Sequence, residues 1–419
     1  MKKCILLLSV FLFMALSATM VLATNGDNLI GIGPISRSMG GVGIAAPQDA
    51  ISAVFSNPAA MAFTPSGPNA DFSFSGTLFM PKVDGKIELG GTTYKADSSG
   101  TASAIPAIGI STPITKTMPL WKFGLAAYGS SGMGVDYRNT ALDQPRFANF
   151  GGYPLIAGEF TQLQIMKFAP AVSFQPTDNL SLGLTGHIDY ATLDLRGGSS
   201  TNYGFGAQLG VVYKPLKQIS LGATYLTPQN VKHERVIDFD GDGTADTMEL
   251  EAPQQVGLGV AYELIPNKFL IELNGKWINW ANAKGYSDFD WEDQYVFSLG
   301  AQFKPTPKLA FRAGYDYGNN PVKEHNNFAG TSMKQVQGKS MPTYYYETFR
   351  IIGFPAIVQN HLTFGIGYEF NKNFSINLGY MYAFGETISE SGTALNGQPV
   401  TISSGLSESS IEFGLTWRF

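Results

Sequence analysis

The chain has one cysteine among its 419 residues, Cys4. Everything after it is free of thiols, which excludes disulfide bridges and cysteine-ligated metal centres from the rest of the chain. Charged residues make up only 15%, and 28 Lys and Arg stand against 33 Asp and Glu, for a net charge of −5. That balance gives no electrostatic reason to expect a nucleic-acid partner. Past the amino terminus no stretch approaches 18 consecutive apolar residues, so a membrane-spanning helix is excluded there. Gly41-x-Gly43-x-x-Ala46 mimics a dinucleotide fingerprint. No strand precedes it and no βαβ unit follows, so that chemistry is excluded as well. Histidines number four, His187, His233, His325 and His361, and none accompanies a nucleophile-elbow motif, so no catalytic residue is assigned.

What the chain does have is 48 Gly, 29 Phe and 19 Tyr. Glycine is thus 48 of 419, about 11% against roughly 7% in average proteins. Lys2 and Lys3, the apolar run Ile5 to Leu16 and the small Ala23 read as a secretory signal peptide over residues 1–23. From about residue 69 the pattern has period two. Phe374, Ile376, Leu378, Tyr380, Tyr382 and Phe384 fall on one strand face, with Asn373, Ser375, Asn377, Gly379 and Met381 on the other. Leu362 to Phe370 and Ile411 to Phe419 repeat it. One face is large, apolar and aromatic at its ends, as a lipid-facing band requires. The other carries Gly, Ser, Thr and scattered charge, as a lumen requires.

Fourteen such strands are expected, near 69–80, 103–112, 121–130, 159–175, 180–194, 202–214, 218–228, 250–264, 268–279, 294–304, 308–318, 360–371, 373–386 and 407–419. Short turns such as Pro176-Thr177-Asp178-Asn179, Pro215-Leu216-Lys217 and Pro305-Thr306-Pro307 alternate with long connections. The long ones lie near 82–102, 131–158, 229–249, 280–293, 319–359 and 387–406. The fold class expected is all-β: a 14-stranded antiparallel transmembrane β-barrel over residues 67–419, in the outer membrane of a Gram-negative-type cell. Residues 24–66 do not alternate. They carry Gly31, Gly33, Gly40, Gly41 and Gly43, a possible helix near Gln48–Phe55 and the triplet Asn57-Pro58-Ala59, and are read as a plug of short helices inside the lumen.

Arg37-Ser38-Met39-Gly40-Gly41-Val42-Gly43, Phe55 to Ala60 with its Asn57-Pro58-Ala59, the glycine-rich third strand Phe123 to Gly134, and the terminal strand ending in Phe419 stand in that order. Together they resemble the FadL family of outer-membrane transporters, which includes the toluene-type porins. The resemblance implies a hatch signature at Asn57, Pro58 and Ala59. It implies an inward kink and lateral opening in strand three at Gly129, Gly132 and Gly134, of which Gly132 and Gly134 would supply backbone freedom there. It implies passive uptake of long-chain fatty acids or aromatic hydrocarbons, without a required cofactor and without enzymatic activity. Expected partners are a hydrophobic small molecule, outer-membrane lipid and lipopolysaccharide, and the barrel-assembly machinery reading the terminal strand of a monomer.

Two loop groups hold more apolar residues than solvent favours: Phe147, Phe150, Tyr153, Leu155 and Ile156, and Tyr344 to Phe354 with Phe349, Ile352 and Phe354. They either line the hydrophobic ligand's way in or pack on one another over the barrel. Asp238-x-Asp240-x-Asp242-Gly243-Thr244-x-Asp246-x-x-Glu249 has the spacing of a calcium loop, with oxygen ligands at Asp238, Asp240, Asp242, Thr244, Asp246 and Glu249. Its alternative is an acidic, solvated hairpin tip. Inward charges at His187, Asp189, Glu263, Glu272, Arg312, Asp316 and Glu369 suit lumen ion pairs. A structural or adhesive barrel whose loops bind a surface partner is the alternative reading of function.

Overall fold

The computed structural model describes residues 25–64, 69–100, 102–114 and 120–419; the expected signal peptide lies outside them. Fourteen antiparallel strands form the wall: β1 (Asp71–Leu89), β2 (Ser103–Pro113), β3 (Trp121–Asp136), β4 (Phe160–Thr177), β5 (Leu180–Asp194), β6 (Ser199–Leu216), β7 (Ile219–Leu226), β8 (Gln255–Ile265), β9 (Phe269–Ile278), β10 (Gln294–Thr306), β11 (Leu309–Gly318), β12 (Asn360–Asn371), β13 (Phe374–Thr393) and β14 (Pro399–Arg418). Each pairs with the next. β14 closes the ring on β1, in register from Asp71 opposite Arg418 to Leu89 opposite Val400. Phe419 continues that seam, exchanging backbone bonds with Ala70 at 3.0 and 3.2 Å. Closure leaves no edge, so backbone N–H and C=O groups are satisfied without water.

The wall is taller than the period-two pattern suggests, for a physical reason. On β1 the even positions face out throughout. Phe72, Phe74 and Leu78 are followed on that face by Lys82, Asp84, Lys86 and Glu88. The inward face changes the opposite way, from Ser73, Ser75 and Thr77 to Val83, Ile87 and Leu89. β14 repeats the inversion: Val400, Ile402 and Leu406 point inward at one end, Glu408, Ser410, Glu412 and Thr416 at the other. Where the wall leaves lipid, its outside meets water and its inside meets packed loops, so the apolar face changes sides. A search for an apolar outer face therefore stops short. The expected connection 82–102 is largely strand, with Thr92–Asp97 pairing back on β1. β13 and β14 similarly extend to Thr393 and from Pro399 through the expected loop 387–406. The strand expected at 250–264 starts at Gln255. Residues 250–252 belong instead to a loop hairpin, Gln229–Ile237 with Asp246–Ala252.

Residues 25–64 fill the lumen as two short helices, α1 (Pro34–Arg37) and α2 (Ala50–Ser56), and a 3-10 turn, Pro58–Phe63. The helix expected at Gln48–Phe55 starts at Ala50 because Asp49 caps it, its carboxylate accepting from Ser52 N at 2.7 Å. The segment winds round the inner wall on pads of paired glycines. Gly365 opposite Gly379 lies under Ser38 and Pro34, Gly300 opposite Gly314 under Met39 and Gly40, Gly222 opposite Gly259 under Ile44 and Ala45, and Gly183 opposite Gly210 under Asn57 to Ala59. A Cβ on Gly314 or Gly300 would collide with the Gly40 or Met39 backbone. Much of the glycine content is thus clearance for a backbone packed against a wall. Arg37 anchors the first helix, donating from Nε to Glu412 at 2.8 Å and from Nη2 to Ser410 at 2.9 Å, both partners buried.

Gly314→Val is expected to destabilise the folded protein by about 1–3 kcal/mol through overpacking. It should also raise single-channel conductance as the luminal segment lifts. Gly76→Val, where an added Cβ meets nothing within 4 Å, is the control. Equal melting temperatures and conductances for the two variants would remove the clearance argument.

Candidate functional site

Two places break the wall's regularity, and they adjoin. The first is β3. Its residues alternate in exposure up to Leu125, but from Ser130 to Val135 every residue is buried, so neither face meets lipid. Pairing with β2 ends at Tyr128 opposite Ala107, although β2 continues to Ser103 against β1. A bulge at Ser130 shifts the register with β4, from Gly129 opposite Met166 to Ser131 opposite Ile165. The luminal segment takes the place of β2: Leu29 N donates to Ser130 O, and Gly132 N to Asp27 O, both at 3.2 Å. None of Gly129, Gly132 and Gly134 has a left-handed backbone, which corrects the expectation that Gly132 and Gly134 supply conformational freedom. Gly129 and Gly134 supply room: a Cβ on them would press on Ile105 and on the Thr161 carbonyl.

Second comes the cap over the long-loop end. α3 (Thr343–Thr348) runs into one π turn, Phe349–Gly353. Phe147 stacks edge-on to Phe150 at 5.0 Å, and Phe150 to Tyr344 at 5.2 Å. The Tyr344 and Tyr345 hydroxyls donate to the Leu155 and Pro154 carbonyls at 2.7 and 2.6 Å. Phe147, Phe150, Phe349, Ile352 and Phe354 are buried, whereas Tyr153 is 65% exposed and lines nothing. The two loop groups therefore pack on one another. Phe349 and Phe354 do more. With Met133 of β3, Leu163 of β4, Leu250 and Phe289 they enclose an apolar cavity in which the centre of a water-sized sphere has ≈ 30 Å³ to roam. Sequence reasoning passed over Trp280, Tyr286, Phe289 and Trp291, a cluster with ring centroids 4.5–5.1 Å apart among the first, second and last of these. Four aromatics within one loop were the signal.

Asn57-Pro58-Ala59 acts as a joint. The Asn57 amide donates to the carbonyls of Ile44 at 2.8 Å and of Val211 in β6 at 3.1 Å, and its Oδ1 accepts from Ala59 N at 3.1 Å, capping the 3-10 turn. Above this joint lies a mixed cavity of ≈ 70 Å³ lined by Phe55, Tyr128, Lys167, His187 and Lys276 among others. Of the inward charges, Asp189 pairs with Lys167 at 2.6 Å and Asp316 accepts from Ser298 at 2.6 Å. Glu272 accepts from Ala45 N at 2.8 Å, and Arg312 donates to the amide oxygens of Gln302 and Asn377 at 2.8 and 2.9 Å. Glu369 stands 3.9 and 3.8 Å from Lys304 and Arg418. Of these contacts only the bond from Ala45 to Glu272 crosses from plug to wall; the others tie wall strands to one another. The histidines meet Gln208, the Ser200 carbonyl, Glu347 and the Asp316 carbonyl.

In the acidic loop, carboxylate oxygens of Asp238, Asp240 and Asp246 lie within 4.8 Å of one another. The Lys339 ammonium stands 2.9 Å from Asp246, 3.0 Å from Asp240 and 3.8 Å from Asp242. Asp242 accepts from Thr244 N at 2.7 Å. Glu249 lies outside this ring, in the strand Asp246–Ala252, and pairs with Lys284 at 2.8 Å. In a helix–loop–helix calcium site the last ligand returns from a helix, whereas a strand carries it away. Donating hydrogen bonds to Asp246 and Asp240 pushes the Lys339 pKa up, and the bond accepted from Lys339 holds the Asp240 carboxyl below its usual range.

A calcium ion among these oxygens has to displace Lys339. Lys339→Met is therefore expected to raise the loop's calcium affinity, read as calcium-dependent protection from protease. Equal affinity in the native and variant chains would separate Lys339 from the site. Because the Asp240 pKa is lowered on folding, the Lys339 clamp is complete above about pH 4. It is lost as the pH falls through the lowered value, an outcome hydrogen exchange of residues 238–249 will read.

The sequence profile of the outer membrane protein transport protein family (OMPP1/FadL/TodX) matches residues 28–200 and 191–330. No curated protein matches the chain significantly. The fold is similar to that of the P. putida toluene transporter TodX, with 19% identity, 94% of this chain and 99% of that one covered, and a TM-score of 0.67. It is similar to a Pseudomonas aeruginosa FadL homologue at 16% identity, 96% and 99% coverage and a TM-score of 0.69. For the Ralstonia pickettii toluene transporter TbuX the values are 16%, 94%, 99% and 0.62. The chain thus belongs to this family of outer-membrane transport proteins for hydrophobic compounds, and its closed fourteen-stranded barrel sits in the outer membrane.

Proposed function

We propose that the protein carries hydrophobic molecules inward by passive binding and diffusion, taking them into the apolar cavity beneath the loop cap and releasing them sideways at the β3 bulge. One observation carries this reading: the cavity is walled by Met133 and Leu163, at the stretch of β3 that has given up its pairing with β2. Burying apolar area contributes roughly 25 cal/mol per Å², which favours the cavity over water as a first station. Polar groups of the plug obstruct the straight path down the lumen, so a greasy ligand meets less resistance at the seam. Substrates of this class are long-chain fatty acids or aromatic hydrocarbons.

A staple across the seam tests the route. A Cβ built on Gly129 lies 3.9 Å from the Ile105 Cβ, within the span of a disulfide. With Cys4 the only native cysteine, Ile105→Cys/Gly129→Cys has one pair to form in the barrel. Oxidation is expected to slow uptake of labelled toluene and oleate by cells about tenfold, the factor that about 1.4 kcal/mol of barrier supplies, and reduction to restore it. Full uptake by the oxidised variant would exclude release at this seam.

A further inference from the structure

The apolar cavity has one cation in its lining, Arg350, and the state of that cation bears on which ligands the cavity accepts. A buried guanidinium beside an apolar chamber is the group a fatty carboxylate would seek, through a paired, charge-assisted bond. Here Nε and Nη2 of the guanidinium are already engaged by acidic and carbonyl oxygens, and Nη1 makes one long bond. Nε donates to Glu347 at 2.9 Å, Nη2 to Glu390 and to the Lys323 carbonyl at 2.8 Å, and Nη1 to the Phe289 carbonyl at 3.4 Å. The side chains of Arg350, Glu347 and Glu390 are 0%, 1% and 0% exposed. His325 completes the cluster, its Nδ1 standing 2.9 Å from Glu347 and its backbone N–H donating to Glu390 at 2.8 Å.

Two carboxylates thus face one guanidinium. An arriving ligand carboxylate would bring a further acidic group into a dry place beside Glu347 and Glu390, and would find Nε and Nη2 of Arg350 taken, with only Nη1 and its single 3.4 Å bond left to receive it. Like charges in low dielectric repel strongly, and an unpaired buried carboxylate is costly. An uncharged hydrocarbon or alcohol faces neither cost and meets the phenyl faces of Phe289, Phe349 and Phe354. Seating a whole ring or chain requires these side chains to move, since the space now open is ≈ 30 Å³.

We infer that this cavity selects uncharged hydrophobic molecules over fatty carboxylates, and that Glu347 and Glu390 set the selection by occupying Nε and Nη2 of Arg350, which denies a ligand carboxylate a two-pronged grip on the guanidinium. The inference rests on the transport reading above and narrows its substrate class. It makes Arg350 first a clasp, fastening α3 to the segments around Phe289, Lys323 and Glu390.

The test uses the full-length protein in lipid nanodiscs, with labelled decan-1-ol and decanoate as probes and each probe's uptake by empty discs subtracted. The native protein is expected to bind decan-1-ol at least about tenfold more tightly, a difference of about 1.4 kcal/mol. Glu390→Gln, which keeps an acceptor but removes the charge, is expected to raise decanoate affinity about tenfold and leave the decan-1-ol value within twofold. Glu347→Gln is the second variant should Glu390→Gln fail to assemble. Decanoate binding by the native protein as tight as that of decan-1-ol would overturn the inference, as would an unchanged ratio in both variants. Binding of neither probe would overturn it too, and the first-station role of the cavity with it. Uptake by whole cells, blocked or not by the seam disulfide, reads the transport function separately.

Discussion

A sheet in lipid has nowhere to leave an unpaired strand edge, and the rest of this molecule follows from how that is met. The backbone is closed by β14 on β1 along the full length of both strands. With no water outside, the polar positions of every strand are forced inward, and the lumen becomes a wall of Ser, Thr, Gly and charge that itself must be satisfied. Residues 25–64 satisfy it. Arg37 meets Glu412 and Ser410, Gly40 N donates to Thr363, Ala45 N donates to Glu272 and Asn57 meets the Ile44 and Val211 carbonyls. The plug is the hydrogen-bonding complement of the barrel interior, and the paired glycines let its backbone come close enough.

The same solvent argument, applied above the membrane, yields the cap. Once the outside of the wall is wet, the inward positions are free to be apolar. Val83, Ile87 and Leu89 of β1 and Val400, Ile402 and Leu406 of β14 use that freedom. They belong to one continuous apolar cluster with Phe147, Phe150, Tyr344 and Phe349 from the loops. The molecule is therefore inside-out at one level and conventional at the next.

This inversion also explains how much was legible in the sequence. The pattern Phe374 to Phe384 announces a lipid-facing strand because its outward face is apolar, and all fourteen strands were found by that signal. It falls silent at Lys82 and Glu386, where the strands continue but the outside is wet, so β1, β13 and β14 were drawn short. Asn57-Pro58-Ala59 was visible as a triplet, but its Val211 partner is 154 positions away, which no local pattern reveals. The cavity was half legible. Phe349 and Phe354 were noticed because apolar residues in loops are conspicuous. Leu163 was hidden inside a strand that looks ordinary, and Met133 fell in what was read as the start of a long connection, although β3 runs on to Asp136. Glu249 was misplaced for the opposite reason: a spacing motif assumes the backbone of its usual context, and here a strand replaces the helix.

β3 is where pairing between neighbouring wall strands breaks off early. Beyond Tyr128 this strand has lost β2, and its orphaned backbone groups must bond elsewhere or stand unsatisfied at a cost comparable to a hydrogen bond each. Residues 27–29 serve as the substitute neighbour, through Leu29 N to Ser130 O and Gly132 N to Asp27 O. Asp27 in turn accepts from the Tyr286 hydroxyl, and Tyr286 stacks at 4.9 Å on Trp291, which lines the apolar cavity. A chain of direct contacts thus runs from the cavity lining through residues 27–29 to the stretch of β3 that β2 has left, and residues 98 and 99 cover the same strand farther on, at Asp136. On the transport reading proposed above, a ligand that shifts Tyr286 or Trp291 would act on a segment that covers the β3 edge, and the coupling it exerts would equal its difference in affinity for the covered and uncovered states.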